Sequence, residues 1–307
     1  MNQLKVAAVA LFALALTACS GIGSSVPGPS HVSQNQTMTV NHGLDLSHAH
    51  VMRTRFSQAP AINPNVALTY GGGAVEKKAK IYVVFWGFNV SGSDPSGEQT
   101  YLTAFLTGVG GSPWMNVDHQ YYQIVGGIHQ KIQNKTGMLL GTWVDSTNPV
   151  PSSPTDSQVQ AEAGKLEAHF GFLRDASYVV ATPHGHNING FGTQFCAYHQ
   201  ATSQGGHIIA YTNLPYMTDA GASCGQNFIN PGSGGLLDGV SIVEGHELSE
   251  SQTDPQPFSG WNSSQGEIGD LCAWLSPPAG DITLSTGTFA VQGLWTNAHS
   301  RCSINGI

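Results

Sequence analysis

The chain has 307 residues, a formal net charge of −8 and only 10% charged side chains. Its acidic balance disfavours nucleic acid as a partner, because phosphate binding needs clustered lysine and arginine side chains. The hydrophobic share is 40%, with six Trp, nine Tyr and twelve Phe. That composition supports a substantial buried core, so we exclude a disordered chain.

The N-terminus predicts export and lipid attachment. Residues 6–16 form an uninterrupted apolar run, which is typical of a secretory signal and too short to span a bilayer. The run ends in Leu16-Thr17-Ala18-Cys19, the pattern of a lipobox. We therefore predict a lipoprotein signal peptide over residues 1–18, lipidation of Cys19, and export to the outer membrane, on its periplasmic or surface face. The alternative is an ordinary secretory signal with a chance cysteine.

The cysteine count fits this assignment. Of five cysteines, Cys19 carries lipid, which leaves four for two disulfides in an exported protein. We favour the pairs Cys196 with Cys224 and Cys272 with Cys302, because neighbours in sequence close the shorter loops. Spacing alone leaves the two other pairings open.

The predicted elements follow a polar segment. Residues 19–65 are rich in Ser, Pro, Asn, Gln and His, which predicts a flexible tether, and residues 66–307 then form one domain. Hydrophobic patterns predict strands over residues 80–86, 122–128, 138–144, 177–181 and 207–211, and helices over residues 101–109, 156–170 and 239–252. Thr155 and Gln158 form a capping-box pair, and Asp238 is a plausible N-cap. This order predicts a single α/β to α+β domain with a mixed sheet.

The last predicted helix carries the motif that can bind a metal. It contains His246-Glu247-Leu248-Ser249-Glu250, and residues four apart share a helix face, so His246 and Glu250 can reach one ion. Glu247 can reach a water on that ion. The spacing follows the H-E-x-x-H metalloprotease helix with glutamate as the second ligand, which favours a zincin-like domain.

Acidic residues surround this motif without a basic partner. Seven carboxylates lie within residues 238–270, and no Lys or Arg occurs between Arg174 and Arg301. A divalent cation would relieve their repulsion. Tetrahedral zinc needs a third ligand, for which Glu267 is the first choice and Asp270 and Asp254 are alternates. Calcium also suits oxygen ligands, whereas His246 favours zinc. The alternative is a solvated helix face with ordinary acidic residues.

Two other motifs compete with the helix. Residues 221–225 match the G-x-S-x-G pattern of serine hydrolases, although no apolar strand precedes them and Cys224 is assigned to a disulfide. His184 and His186 follow a predicted strand, where loop imidazoles can contact a metal or substrate. We favour a surface loop for these histidines.

Several motifs together resemble the phosphate-induced protein 1, or EXORDIUM-like, family of secreted proteins. They are residues 70–73 (YGGG), 195–199 (FCAYH), 240–250 (VSIVEGHELSE), 253–255 (TDP) and 267–272 (EIGDLC). The resemblance implies an extracellular, disulfide-containing domain in which the helix and the EIGD segment belong together. It supplies no activity, so the metallohydrolase interpretation depends on residue spacing.

We therefore predict an exported, lipid-anchored zinc metallohydrolase, peptidase-like, acting on extracytoplasmic peptides or proteins. His246, Glu250 and Glu267 are the predicted ligands, Glu247 is the general base, and the strand at residues 207–211 is the edge that holds an extended substrate. The alternative is a non-enzymatic extracellular binding or structural protein, with a structural metal or none.

Overall fold

A computed structural model describes residues 48–57 and 66–307 of the chain. The predicted signal peptide, Cys19 and most of the predicted tether lie outside the described residues. None of the helices in the described part of the chain combines the length and apolar character that crossing a membrane requires.

In the described residues, three α-helices separate four groups of consecutive strands. The strands are β1 (His50–Arg53), β2 (Thr69–Tyr70), β3 (Lys80–Trp86), β4 (Tyr122–Val125), β5 (Ile128–Lys131), β6 (Leu139–Asp145), β7 (Ala176–Ala181), β8 (Phe195–Gln204), β9 (His207–Leu214), β10 (Trp261–Asn262), β11 (Gly280–Leu284), β12 (Gly287–Val291), β13 (Leu294–Thr296) and β14 (Arg301–Ser303). The α-helices are α1 (Glu98–Val109), α2 (Asp156–Phe170) and α3 (Asp238–Thr253).

A six-stranded mixed sheet organises the domain, as predicted, with the order β1-β8-β9-β7-β3-β6. Strands β6, β3, β7 and β9 are parallel, whereas β8 and β1 are antiparallel to their neighbours. Helix α2 covers one face through Val159, Ala163 and Leu166. Helices α1 and α3 contribute to the apolar cluster on the other face. The interior strand β3, between β7 and β6, is buried on both faces, which explains its continuous apolar sequence.

Local patterns account for several elements, and some predicted limits need correction. Strand β3 has the predicted bounds, and the capping box of Thr155 and Gln158 precedes α2. The predicted strand at 122–128 is instead the hairpin β4–β5, because Gly126 and Gly127 adopt positive φ angles and form its turn. Strand β9 lies inside the sheet, between β8 and β7, so it is not the predicted substrate-binding edge.

Two further elements depart from the sequence analysis. Strand β8 was not predicted, because polar residues interrupt its apolar pattern from His199 onward. The predicted tether contains strand β1, which pairs with β8 from His50 to Arg53, so the fold begins before residue 66. Polar neighbours on both sides of this four-residue strand hide its pattern in the sequence.

Both predicted disulfides are present. Cys196 in β8 is bonded to Cys224, and Cys272 is bonded to Cys302 in β14. The first disulfide attaches β8 to the segment that precedes α3. The second attaches the chain just after Asp270 to the C-terminal hairpin formed by β13 and β14.

Helix α3 is buried along its whole length, which contradicts the alternative of a solvated helix face. It begins at Asp238, which is therefore its first residue and not its N-cap. The Asp238 carboxylate accepts hydrogen bonds from the backbone N–H groups of Ile229 and Asn230. Close packing requires Gly245, since a Cβ atom there would lie 2.8 Å from Cη2 of Trp114.

We expect Gly245→Ala to lower the free energy of unfolding, although alanine favours a helix over glycine by about 1 kcal/mol. Overpacking against Trp114 costs about 1–3 kcal/mol, which outweighs that gain. Denaturant unfolding measures the difference. Gly164→Ala in α2 is the matched control, because the three atoms nearest to its Cβ would all belong to the flexible end of Gln204. Equal stability of the two variants would contradict this packing argument.

Candidate metal centre

Four segments meet at the candidate site. Helix α3 supplies His246, Glu247 and Glu250, and the loop after β10 supplies Glu267 and Asp270. Strand β8 adds His199, and strand β1 adds His50. The site therefore combines residues that are more than 200 positions apart in the chain.

The helix presents its predicted pair together. Nε2 of His246 lies 3.1 Å from Oε1 of Glu250, one helical turn away. The same Oε1 atom accepts hydrogen bonds from the backbone N–H groups of Gly269 and Asp270, at 3.2 and 3.0 Å. The helix and the EIGD segment are thus in direct contact. A Cβ atom on Gly269 would lie 2.6 Å from Nδ1 of His246, so glycine leaves room for the ring.

His199 lies between three of these carboxylates and is fully buried. Its Nδ1 atom is 3.3 Å from Oε2 of Glu247 and 3.5 Å from Oε2 of Glu250. Its Nε2 atom is 3.7 Å from Oε2 of Glu267 and 3.3 Å from the backbone carbonyl of Asp254. His199, Glu247 and Glu250 offer one ligand atom each within 4.8 Å of one another.

His50 completes a second group with Glu250 and Asp270, whose ligand atoms also lie within 4.8 Å. Its Nδ1 atom is 3.5 Å from Oδ2 of Asp270. Its Nε2 atom is 3.0 Å from Oε1 of Glu267, but the two are not aligned for a hydrogen bond. Glu250 belongs to both groups, which makes it the centre of the arrangement.

The structure therefore brings all the predicted metal ligands and the predicted general base to one region but arranges them differently. His246 contacts Glu250, whereas the two compact groups contain His199 and His50. Oδ1 of Asp254, an alternate ligand, accepts backbone hydrogen bonds from Ser259 and Gly260 in the following loop.

Sequence reasoning did not assign His199 or His50 as ligands. His199 stood in the FCAYH motif without a role, and His50 fell in the predicted tether. Neither histidine belongs to a short metal-binding spacing motif that would identify it as a ligand from the sequence.

Several ligand atoms in the site are buried without a hydrogen-bond partner. They are Oε1 of Glu247, Oε2 of Glu250 and both carboxylate oxygens of Glu267. A buried polar atom without a partner costs about 1–3 kcal/mol, and more when it is charged. Residues 175–300 contain no Lys or Arg that could pair with these oxygens, and a bound cation could satisfy them.

Burial and mutual repulsion govern protonation in the site. Burial raises the pKa of Glu247, Glu250 and Glu267, and neighbouring carboxylates add to the effect. Burial, with the charges of nearby histidines, lowers the pKa of His199 well below its ordinary value. His199 is therefore neutral, which is the form that binds metals. Burial alone would lower the pKa of His246, but Glu250 and other carboxylates outweigh it and raise it to about 10.

The residues of the two competing motifs, the G-x-S-x-G pattern and the loop histidines, are engaged in local structural contacts. Ser223 lies in the short 3-10 helix Gly221–Cys224, and Cys224 is in a disulfide. His184, which is half exposed, contacts the carboxylate of Asp219 through Nδ1. Nδ1 of His186 lies 2.9 Å from the carbonyl of Pro151. This arrangement fits a structured surface loop.

Comparison with known proteins gives no assignment. No protein-family model, no curated protein and no solved structure matches this chain. The motif resemblance described above and the zincin-like fold therefore stay predictions, and function must be argued from the site itself.

Glu244 allows a test of how burial in helix α3 shifts the pKa of a glutamate. It is fully buried without a hydrogen-bond partner, and burial raises its pKa to about 8 from the ordinary value of 4.5. Between these values the folded state keeps a proton that the unfolded state releases, so stability falls as pH rises. Glu244→Gln should remove this dependence, on the order of 1.4 kcal/mol per pH unit.

The measurement is denaturant unfolding of both proteins with a chelator present, at several pH values from 5 to 8. The variant should gain stability relative to the wild type as pH rises. Glu167→Gln, on the partly exposed side of α2, is the control for a change of one charge. Parallel stability curves for wild type and Glu244→Gln would show that Glu244 is not protonated in this way.

Proposed function

We propose that this chain is a metal-dependent hydrolase of the peptidase type, with zinc as its metal. The observation that carries the proposal is the convergence of His199, Glu247 and Glu250, buried, with carboxylate oxygens that lack partners. Imidazole and carboxylate are ligands that zinc accepts, and three protein ligands leave a position for water. A zinc ion at this site would acidify that water and polarise a substrate carbonyl.

The surroundings of His199 support its role as a ligand. The carbonyl of Asp254 faces Nε2, so a proton on Nε2 is held there and the Nδ1 lone pair faces Glu247 and Glu250. An outer partner of this kind fixes the orientation of a metal-binding histidine. The distances favour His199 over His246 as the imidazole ligand, with His246 orienting Glu250 from the other side.

Two roles are open to Glu247. As a general base it would take a proton from the water and deliver it to the leaving group, and of the three converging residues only His199 and Glu250 would then bind the metal. As a ligand it would bind the metal through Oε2, which faces His199 at 3.3 Å. Each role predicts a different effect of replacing its carboxylate with an amide.

The second candidate function is a non-enzymatic extracellular protein with a structural metal. Complete burial of His199, Glu247, Glu250 and Glu267 favours it, because a catalytic centre needs access for substrate. The oxygen-rich donor set would then also suit calcium. Export by a lipid anchor, and peptides or proteins as extracytoplasmic substrates, belong to the proposal on sequence grounds only.

Metal analysis combined with a peptide-library cleavage assay tests the proposal. We expect about one zinc per chain in the wild type. We expect His199→Ala to lose both metal and cleavage, because it removes the central imidazole. His186→Ala, a histidine of the 182–194 loop, is the matched control and should keep both.

Glu247→Gln separates the two roles of that residue. Metal retained with cleavage lost by about 100-fold or more would identify a general base. Loss of both would identify a ligand. Bound metal without cleavage in the wild type would favour the structural candidate, and a metal-free wild type with full native stability would overturn the metal site itself.

A further inference from the structure

Strand β1 covers the candidate site from the edge of the sheet. Among the described strands it pairs with β8 alone, in the antiparallel register His50 to His199, Val51 to Tyr198 and Met52 to Ala197. The rings of His50 and His199 are stacked, with centroids 5.8 Å apart. The β8 residue that faces the carboxylates is therefore the direct register partner of His50 in β1.

Side chains of β1 alternate between two environments, as in any strand. His50 points to Glu267 and Asp270, and Met52, on the same face, is fully buried in the apolar cluster shared with α3. Val51 packs on the opposite face, against the cluster that includes α2. The site face of the edge thus offers an acidic position followed, two residues later, by an apolar pocket.

At the end of β1 and just after it, further main-chain hydrogen bonds and a side-chain contact hold the segment to the domain. The carbonyl of Arg53 accepts a hydrogen bond from the indole of Trp274, and the N–H of Arg55 donates to the carbonyl of Ser223. The Arg55 guanidinium lies 4.7 Å from the ring centre of Phe228. Main-chain hydrogen bonds with pockets for alternate side chains are how an extended peptide binds a sheet edge.

The partly exposed residues of the site lie at β1 and at its contact with Asp270. Among the histidines and carboxylates of the two metal-binding groups, side-chain exposure remains only at His50 (11%) and Asp270 (20%). Removing β1 would expose the β8 edge from Phe195 to His199, next to the donor groups. An exposed edge presents unpaired N–H and C=O groups that recruit another strand.

We propose that the β8 edge is a binding site for an extended peptide and that β1 is its intramolecular occupant. The peptide runs antiparallel to β8. It places an apolar side chain in the Met52 pocket and a side chain with N–H donors opposite His199, facing Glu267 and Asp270. Catalysis on such a peptide depends on the function proposed above, whereas the binding site itself does not.

A fluorescent peptide with the sequence of residues 48–57 (HAHVMRTRFS) is the probe, and the full chain is the receptor. Met52→Asp in the chain places a charge in the apolar pocket and should release β1, because burying an unpaired carboxylate is unfavourable. Fluorescence anisotropy should show the peptide binding this variant at least about tenfold more tightly than the wild type. Phe56→Asp is the matched control, since Phe56 is 69% exposed, and it should behave as the wild type.

A second probe checks the pocket. The same peptide with aspartate at the Met52 position should not bind the Met52→Asp chain. Circular dichroism confirms that each variant is folded, and Met52→Ala replaces Met52→Asp if the latter does not fold. A folded variant that binds the peptide no better than the wild type would overturn the proposal.

Failure of this inference is distinguishable from failure of the proposed function. Peptide binding is measured with a chelator present, so it needs neither metal nor cleavage. Binding without metal or cleavage would keep the edge site and reject the hydrolase. Metal and cleavage without peptide binding by the folded variant would keep the hydrolase and reject β1 as the occupant of a peptide site.

Discussion

The burial of helix α3 is the constraint on which the rest of this structure depends. A helix that carries three glutamates and a histidine is enclosed on every side, in a part of the chain without Lys or Arg. The free-energy cost of burying charged groups exceeds the stabilisation from ordinary apolar packing, unless each charge is neutralised or paired. Burial raises the pKa of Glu244 and Glu247, which favours their neutral form, and the fold brings the His199 imidazole next to Glu247.

The elements around α3 supply partners for its buried charged groups. Strand β8 delivers His199 to Glu247 and Glu250, and a disulfide attaches this strand to the segment that leads into α3. The loop after β10 donates two backbone N–H groups to Glu250, and the other disulfide fastens the chain directly behind it. The two covalent links therefore attach two of the segments that supply the charged site, β8 and the segment that carries Asp270. Partnerless oxygens on three glutamates remain even so, and a cation would satisfy them.

The burial of the candidate site is linked to the position of β1 at the edge of the sheet. A hydrolase needs a path for its substrate, and the only partly exposed members of the two donor groups are His50, in β1, and Asp270, which His50 contacts. Strand β1 is short and lies at the sheet edge, so it shares only one ladder of hydrogen bonds with the domain. Edge strands of this kind separate from a sheet more readily than interior ones, because fewer contacts must break.

The amino-acid sequence by itself determined the elements whose pattern is local. Continuous apolar residues specified β3, a capping box specified the start of α2, and the spacing of His246 and Glu250 specified one face of α3. Cysteine parity and loop length favoured the two disulfides that the structure contains, although they left two other pairings open. These features depend on neighbours a few positions apart or on simple counting.

Only the tertiary structure decided the rest of the site. Strand β8 has an interrupted pattern and is stabilised by its pairing with β9 and β1, so no periodicity revealed it. His199 and His50 meet the helix from positions far away in the chain, and their proximity follows from strand order and register. The same strand order makes β8 and not β9 the strand that β1 covers. Side-chain spacing on a helix is fixed by its backbone, whereas the encounter of distant histidines and glutamates is fixed only when the sheet has formed.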